Sequence, residues 1–143
     1  MKRIILCLAA VVLFFTACEK YPDTQCPCGK IEINKKEYIS MCIIPQEVTE
    51  NSVNILRIEN YTKKDVSYGN AFNMEYFHED QWTRVEWDLL FEEIAYSLYA
   101  GHANERVIHL YTFVEWYNDS RAGKYRIIKK VGKYDLIAEF EVK

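Results

Sequence analysis

Gly123-Lys-Tyr-Arg-Ile-Ile-Lys-Lys-Val-Gly-Lys-Tyr-Asp-Leu-Ile-Ala-Glu-Phe-Glu-Val142 is the stretch whose reading decides the fold. Tyr134, Leu136, Ala138, Phe140 and Val142 share one parity. Asp135, Glu139 and Glu141 share the other, with Ile137 the exception. Tyr125, Ile127 and Val131 likewise oppose Arg126 and Lys130. Successive strand side chains point to opposite faces, so this period of two predicts two half-buried strands. Gly132-Lys133 joins them. A two-residue loop with glycine first is the type II′ choice, because glycine takes a positive φ at little cost.

The preceding chain extends the same pattern. Ile39, Met41 and Ile43 alternate with Ser40, Cys42 and Ile44. Residues 53–60 are β-branched and apolar. Phe72, Met74 and Tyr76 alternate with Asn73, Glu75 and Phe77. Runs at 81–87, 94–99 and 106–113 read as further strands, with a helical turn near Asp88–Ile94. Short strands at regular spacing, separated by turn residues, predict an all-β sandwich or barrel. Eleven tyrosines and three tryptophans suit strands.

Two resemblances follow from quoted residues. Asp119-Ser-Arg-Ala-Gly-Lys-Tyr125 is similar to the tyrosine corner of immunoglobulin-type sandwiches, in which a tyrosine starting the penultimate strand bonds back to the preceding loop. Ile127 stands where the usual second cysteine would be, so the usual inter-sheet disulfide is not expected. More widely, Val66–Glu75, Trp82, Val85, Ile94–Leu98, Gly123–Lys129 and Ala138–Glu141 together resemble, in order and spacing, the bacterial Ig-like domain of small lipoproteins and secreted proteins. The resemblance covers roughly residues 50–143. It implies an all-β, immunoglobulin-like β-sandwich of about seven strands, and it brings no catalytic or ligand-binding residues with it.

The N-terminus predicts location. Met1-Lys2-Arg3 is basic, Ile4–Phe15 is apolar, and Thr16-Ala17-Cys18 is small. This is the layout of a secretory signal with a cysteine where the mature chain would begin. Residues 1–17 are therefore expected to be a cleaved lipoprotein signal peptide, with Cys18 lipidated. Phe15 departs from the usual aliphatic residue at its position. The apolar run is too short for a membrane-spanning helix, which needs about 20 residues. Residues 18–35 are expected to form a tether and residues 36–143 the sandwich domain. Two or three acyl chains anchor a protein stably, so the expected location is the cell envelope, on the outer membrane, with the side left open.

Removing residues 1–17 leaves 126 of the 143 residues and takes away Lys2 and Arg3, so the net charge of −3 becomes about −5. Mild acidity argues against a nucleic-acid partner, which needs a basic patch. Cys26, Cys28 and Cys42 would meet an oxidising compartment. A bond from Cys42 to Cys26 or Cys28 is the leading expectation, and it would close a loop of about 15 residues worth roughly 2–3 kcal/mol. Cys42 falls opposite Ile39, Met41 and Ile43 and is expected to face outward. Free thiols and a metal or redox pair are the other readings. Zinc sites commonly use two spaced pairs of ligands, and no second pair follows.

Other candidate chemistry is thin. His78, His102 and His109 would need to converge, with Glu105 for example, to hold a metal. Glu75, Glu79, Asp80, Glu86, Asp88, Glu92 and Glu93 form an acidic middle best read as a solvated face. Arg121, Lys124, Arg126, Lys129, Lys130 and Lys133 read as outward strand charges that discourage edge pairing. Asn60-Tyr-Thr62 and Asn118-Asp-Ser120 match the short glycosylation sequon. No nucleophile elbow, phosphate loop or HExxH is present, so no enzyme, cofactor or metal is expected. Trp116 and Tyr117, placed in a loop before the corner, are the candidate contact for a protein or glycan partner. Tyr96 and Tyr111 are expected in the core. The functional expectation is a lipid-anchored envelope protein with a non-catalytic, protein- or glycan-binding Ig-like domain. The alternative is a structural or inhibitory accessory protein that docks through a sheet edge.

Overall fold

The computed structural model describes residues 29–143. In chain order its strands are β1 (Gly29–Glu32), β2 (Tyr38–Ile44), β3 (Glu47–Val48), β4 (Asn54–Tyr61), β5 (Val66–Tyr68), β6 (Asn73–His78), β7 (Gln81–Arg84), β8 (Tyr96–Leu98) and β9 (His102–Ile108). Helix α1 (Leu110–Asn118) follows, then β10 (Gly123–Val131) and β11 (Tyr134–Val142). One sheet has the order β1-β2-β4-β9. The other runs β3-β11-β10-β5-β8, with β6 also on β10 and β7 on β6. This is a mostly β, two-sheet sandwich.

The C-terminal hairpin is formed as the alternation predicts. Val131 pairs with Tyr134 and Gly123 with Val142. Gly132 has φ +59°, and Lys133 is not among the residues of positive φ, as a type II′ turn requires. Tyr125, Ile127 and Val131 meet Leu136, Ala138, Phe140 and Val142 in the core. The opposing sheet contributes Ile39, Met41, Ile43, Leu56 and Ile58.

Several sequence expectations change. Residues 106–113 are not one strand: β9 ends at Ile108 and α1 begins at Leu110. Leu110 and Val114, four apart and on one helical face, are buried. The helix ends where Asp119 and Ser120 take left-handed φ values of 52° and 53°. Both of their N–H groups bond the Val114 carbonyl, which closes the helix. The 81–87 and 94–99 runs shorten to β7 and β8. Residues 29–32, within the stretch expected as tether, form β1 and pair with residues 38–41 of β2. Gly29 begins that strand because its Cα lies against the Ile137 backbone, where a Cβ would overlap the carbonyl.

Exposed edges are short or charged. β3, β7 and β8 have two to four residues. β9, the one long edge of its sheet, carries Glu105 and Arg106. Such edges resist pairing with another chain.

Candidate functional site

β9 and β10 belong to different sheets, and side chains of both line one recess. Register places Arg106 in one row with Leu56 and Ile43, on the core-facing side of its sheet. On the other sheet, Lys129 shares the parity of Tyr125, Ile127 and Val131 and so points inward. The outward orientation expected for Lys129 is therefore wrong. It is 3% exposed. β10 pairs with β6 over Tyr125–Ile128 and with β5 only at Val131. Lys129 thus stands at the gap where the chain passes from one strand to the other, and Nζ donates to the carbonyls of Gly69 and Ala71.

A cavity of about 360 Å³ opens between these elements. Its walls include Leu56, Tyr68, Phe72, Leu89, Phe91 and Phe113, with Lys129 and Arg106 the cations lining it. Segment 85–95, which carries no regular structure, covers one end. It is held by aromatic contacts: Phe91 lies 5.2 Å and Trp87 5.5 Å from the Phe72 ring, and Phe113 lies 5.1 Å from it. Such edge and tilted pairs each add about 0.5–1.5 kcal/mol beyond burial. Leu90 in the same segment is 93% exposed.

Electrostatics distinguish this cavity. Burial, aided by the Arg106 charge, pushes the Lys129 ammonium down to about 8. The Arg106 guanidinium lies over the Tyr96 ring at 4.1 Å and donates through Nη1 to Asn70 Oδ1 at 2.8 Å. Asn104 Nδ2 donates to the Tyr68 hydroxyl, fixing that wall. Neither cation has a carboxylate partner among the described residues. Glu92 is on the lining but solvent-exposed. A buried cation without a counter-ion is unusual, since buried charges are normally paired.

The residues singled out in the sequence are distributed otherwise. Trp116 and Tyr117 lie on α1, not in a loop. Adjacent helical residues do not share a face: Trp116 is 67% exposed, whereas the Tyr117 ring packs on Trp87 at 5.7 Å. They do not form one patch. Tyr96 and Tyr111 are half-buried and pack against the core. Cys42 is disulfide-bonded. It is 8% exposed and lies outside the core cluster. Cys18, Cys26 and Cys28 lie outside the described residues. His78 ends β6, His102 begins β9 and His109 lies between β9 and α1, and no group of three or more metal-ligating side chains occurs among the described residues. The acidic and basic stretches meet at one point, where Arg126 pairs with Glu75 at 2.5 Å and covers the Trp82 ring at 4.4 Å. Among the described residues, no helix is long and apolar enough to cross a membrane.

The signal for Lys129 was present in the sequence. Its position along β10 already gives it the parity of Tyr125, Ile127 and Val131, and Arg106 has the parity of Asn104 and Ile108. What alternation cannot supply is the gap between β5 and β6, which turns an inward lysine into the wall of a cavity.

Residues 35–141 match the model of a family described as a bacterial Ig-like domain. Comparison with curated proteins finds no match. Among solved structures, similarity is found to Pseudomonas fluorescens alkylpurine DNA glycosylase AlkC bound to DNA containing an abasic site analog, at 16% identity and TM-score 0.35. That alignment covers 76% of this chain and 30% of the glycosylase, so the chain spans about a third of that protein's length.

Proposed function

The chain belongs to the bacterial Ig-like domain family, and from that premise we propose a non-catalytic binding module, lipid-anchored through Cys18 at the cell envelope. Ig-like sandwiches serve as binding or structural modules, and the fold by itself does not choose between them. The observation that favours binding is the cavity between β9 and β10, whose two cations have no carboxylate partner among the described residues. Concave, mostly apolar recesses with a few convergent polar groups are the usual form of a ligand site. Binding is assigned to this recess in place of the Trp116–Tyr117 pair, which α1 divides between two faces. The short, charged edges give the edge-docking alternative little support.

The anchor rests on the N-terminal sequence. Residues 1–17 have the composition of a signal, and Cys18 stands at the cut. The outer membrane is the proposed site of attachment. Intact mass and membrane fractionation of the expressed chain, beside Cys18→Ala, test this part. Residues 18–143 plus acyl chains in the membrane fraction, with anchorage lost in the variant, are expected. A soluble, unlipidated product from both chains would refute the anchor.

A further inference from the structure

We propose that the cavity between β9 and β10 takes a carboxylate carried on a compact apolar or aromatic body, its carboxylate held between Lys129 and Arg106. The inference rests on the binding-module reading and adds the chemistry of the ligand.

Charge is the first argument. The Lys129 ammonium has three N–H donors, and the carbonyls of Gly69 and Ala71 take two. The third donor is left to the cavity, where the ammonium also lies 5.5 Å from the centre of the Tyr68 ring and meets no carboxylate among the described residues. Arg106 commits Nη1 to Asn70, leaving most of its donor fork for another acceptor. Arg106 is itself the charged group acting on Lys129, and it acts as a like charge. An anion between the two would convert repulsion into attraction. Charge-assisted hydrogen bonds of this kind are roughly twice as strong as neutral ones.

The walls are the second argument. Tyr68, Phe72 and Phe113 offer aromatic surface and Leu56 aliphatic surface. The volume of about 360 Å³ lies at the low end of the range of roughly 300–1,000 Å³ for small-molecule sites. A single-charged, planar head group fits two cations on apolar walls. A doubly charged phosphate would surrender more hydration than these few donors replace.

A free apolar acid and the C-terminus of a peptide share this chemistry. Isothermal titration of the purified full chain at pH 7 separates the cases. The probes are 3-phenylpropionate, its neutral analogue 3-phenylpropanamide, and a short peptide ending in phenylalanine, with a free or an amidated C-terminus. We expect an acid to bind at least about tenfold more tightly than its amide, a difference of about 1.4 kcal/mol. Saturation by 3-phenylpropionate identifies a free acid, and saturation by the peptide acid alone identifies a polypeptide C-terminus. Lys129→Met should abolish the acid's advantage. Arg106→Gln, at an exposed position, should reduce it severalfold in a chain that still folds. Equal binding of acid and amide would overturn carboxylate recognition while leaving a binding cavity. No saturable binding of any probe would overturn the cavity as a ligand site and the binding reading with it. An acid preference unchanged by either variant would place the carboxylate elsewhere.

Discussion

The Tyr125 hydroxyl donates to the Arg121 carbonyl at 2.6 Å, closing the turn between α1 and β10. The same oxygen accepts from Asn118 Nδ2 at 2.6 Å, so one hydroxyl ties the helix C-terminus, the turn and the strand together. The ring beneath it is fully buried, stacked on Phe140 at 5.4 Å and tilted against Tyr76 at 4.8 Å. Tyr125→Phe keeps the packing and deletes both hydrogen bonds. A loss of about 1–2 kcal/mol is expected, read as a lower denaturant midpoint with unchanged m-value. An unchanged midpoint would mean that the corner is held by packing alone.

Asn60 makes four side-chain hydrogen bonds while 0% exposed. Nδ2 donates to the carbonyls of Lys64 and Leu98, and Oδ1 accepts from the Thr62 amide and hydroxyl. Asn60→Asp sets a carboxylate oxygen against two carbonyls in a buried site. We expect a loss of about 3 kcal/mol or more at neutral pH. Acidification should recover part of it, because a protonated acid can donate to one of those carbonyls. Equal instability at pH 4 and pH 7 would contradict the donor assignment. The same burial rules out the Asn60-Tyr-Thr62 sequon as an acceptor in the folded chain, since its amide nitrogen is already in use.

The Cys42 disulfide gives a third expectation. Bonding to Cys26 or Cys28 closes a loop of about 15 residues, worth about 3 kcal/mol by loop entropy. Reductant should lower the melting temperature of the chain, and a non-reducing peptide map should link Cys42 to one of the two. Identical melts with and without reductant would leave the bond without a stabilising role.

Where alternation runs through a whole hairpin with few exceptions, the sequence is enough. The β10–β11 hairpin and its Gly132 turn follow from residues 123–142 alone, because a one-residue slip would turn every core side chain to solvent. The tyrosine corner was legible too, since Tyr125 follows a small-residue turn. Helix α1 has no helical signature in its own residues. Leu110-Tyr-Thr-Phe-Val114 is rich in β-branched and aromatic residues, which favour strands locally, and tertiary packing of Leu110 and Val114 decides the issue. Trp116 and Tyr117 therefore lie on the helix and not in the loop that the local pattern predicts. The cavity has no local signature: it depends on Lys129 and Arg106, from different sheets, lining one recess beside the gap between β5 and β6.

Lys129 also sets a pH dependence of stability. Its ammonium is held at about 8 in the fold, by burial first and Arg106 second, against about 10.4 in an unfolded chain. Below pH 8 both states are protonated and the penalty is fully present. Between about pH 8 and 10.4 the unfolded chain binds more protons, so stability rises with pH, by at most about 3 kcal/mol. The other titratable or charged groups on the cavity lining are Tyr68, Arg106, Glu92 and His109. Two tyrosines act in the opposite sense at higher pH. Tyr38 is pushed up to about 12, by burial first and the Glu59 charge second, and burial raises Tyr125. Their contribution is fully present below about pH 10 and is lost as pH rises through the raised values. Denaturant midpoints should therefore climb from pH 7 to a maximum between about pH 9 and 10, then fall. In Lys129→Met the climb should vanish while the fall above pH 10 remains. A climb that survives in the variant would assign it to another group, and a flat wild-type profile from pH 7 to 10 would show that Lys129 keeps an ordinary affinity for its proton in the fold.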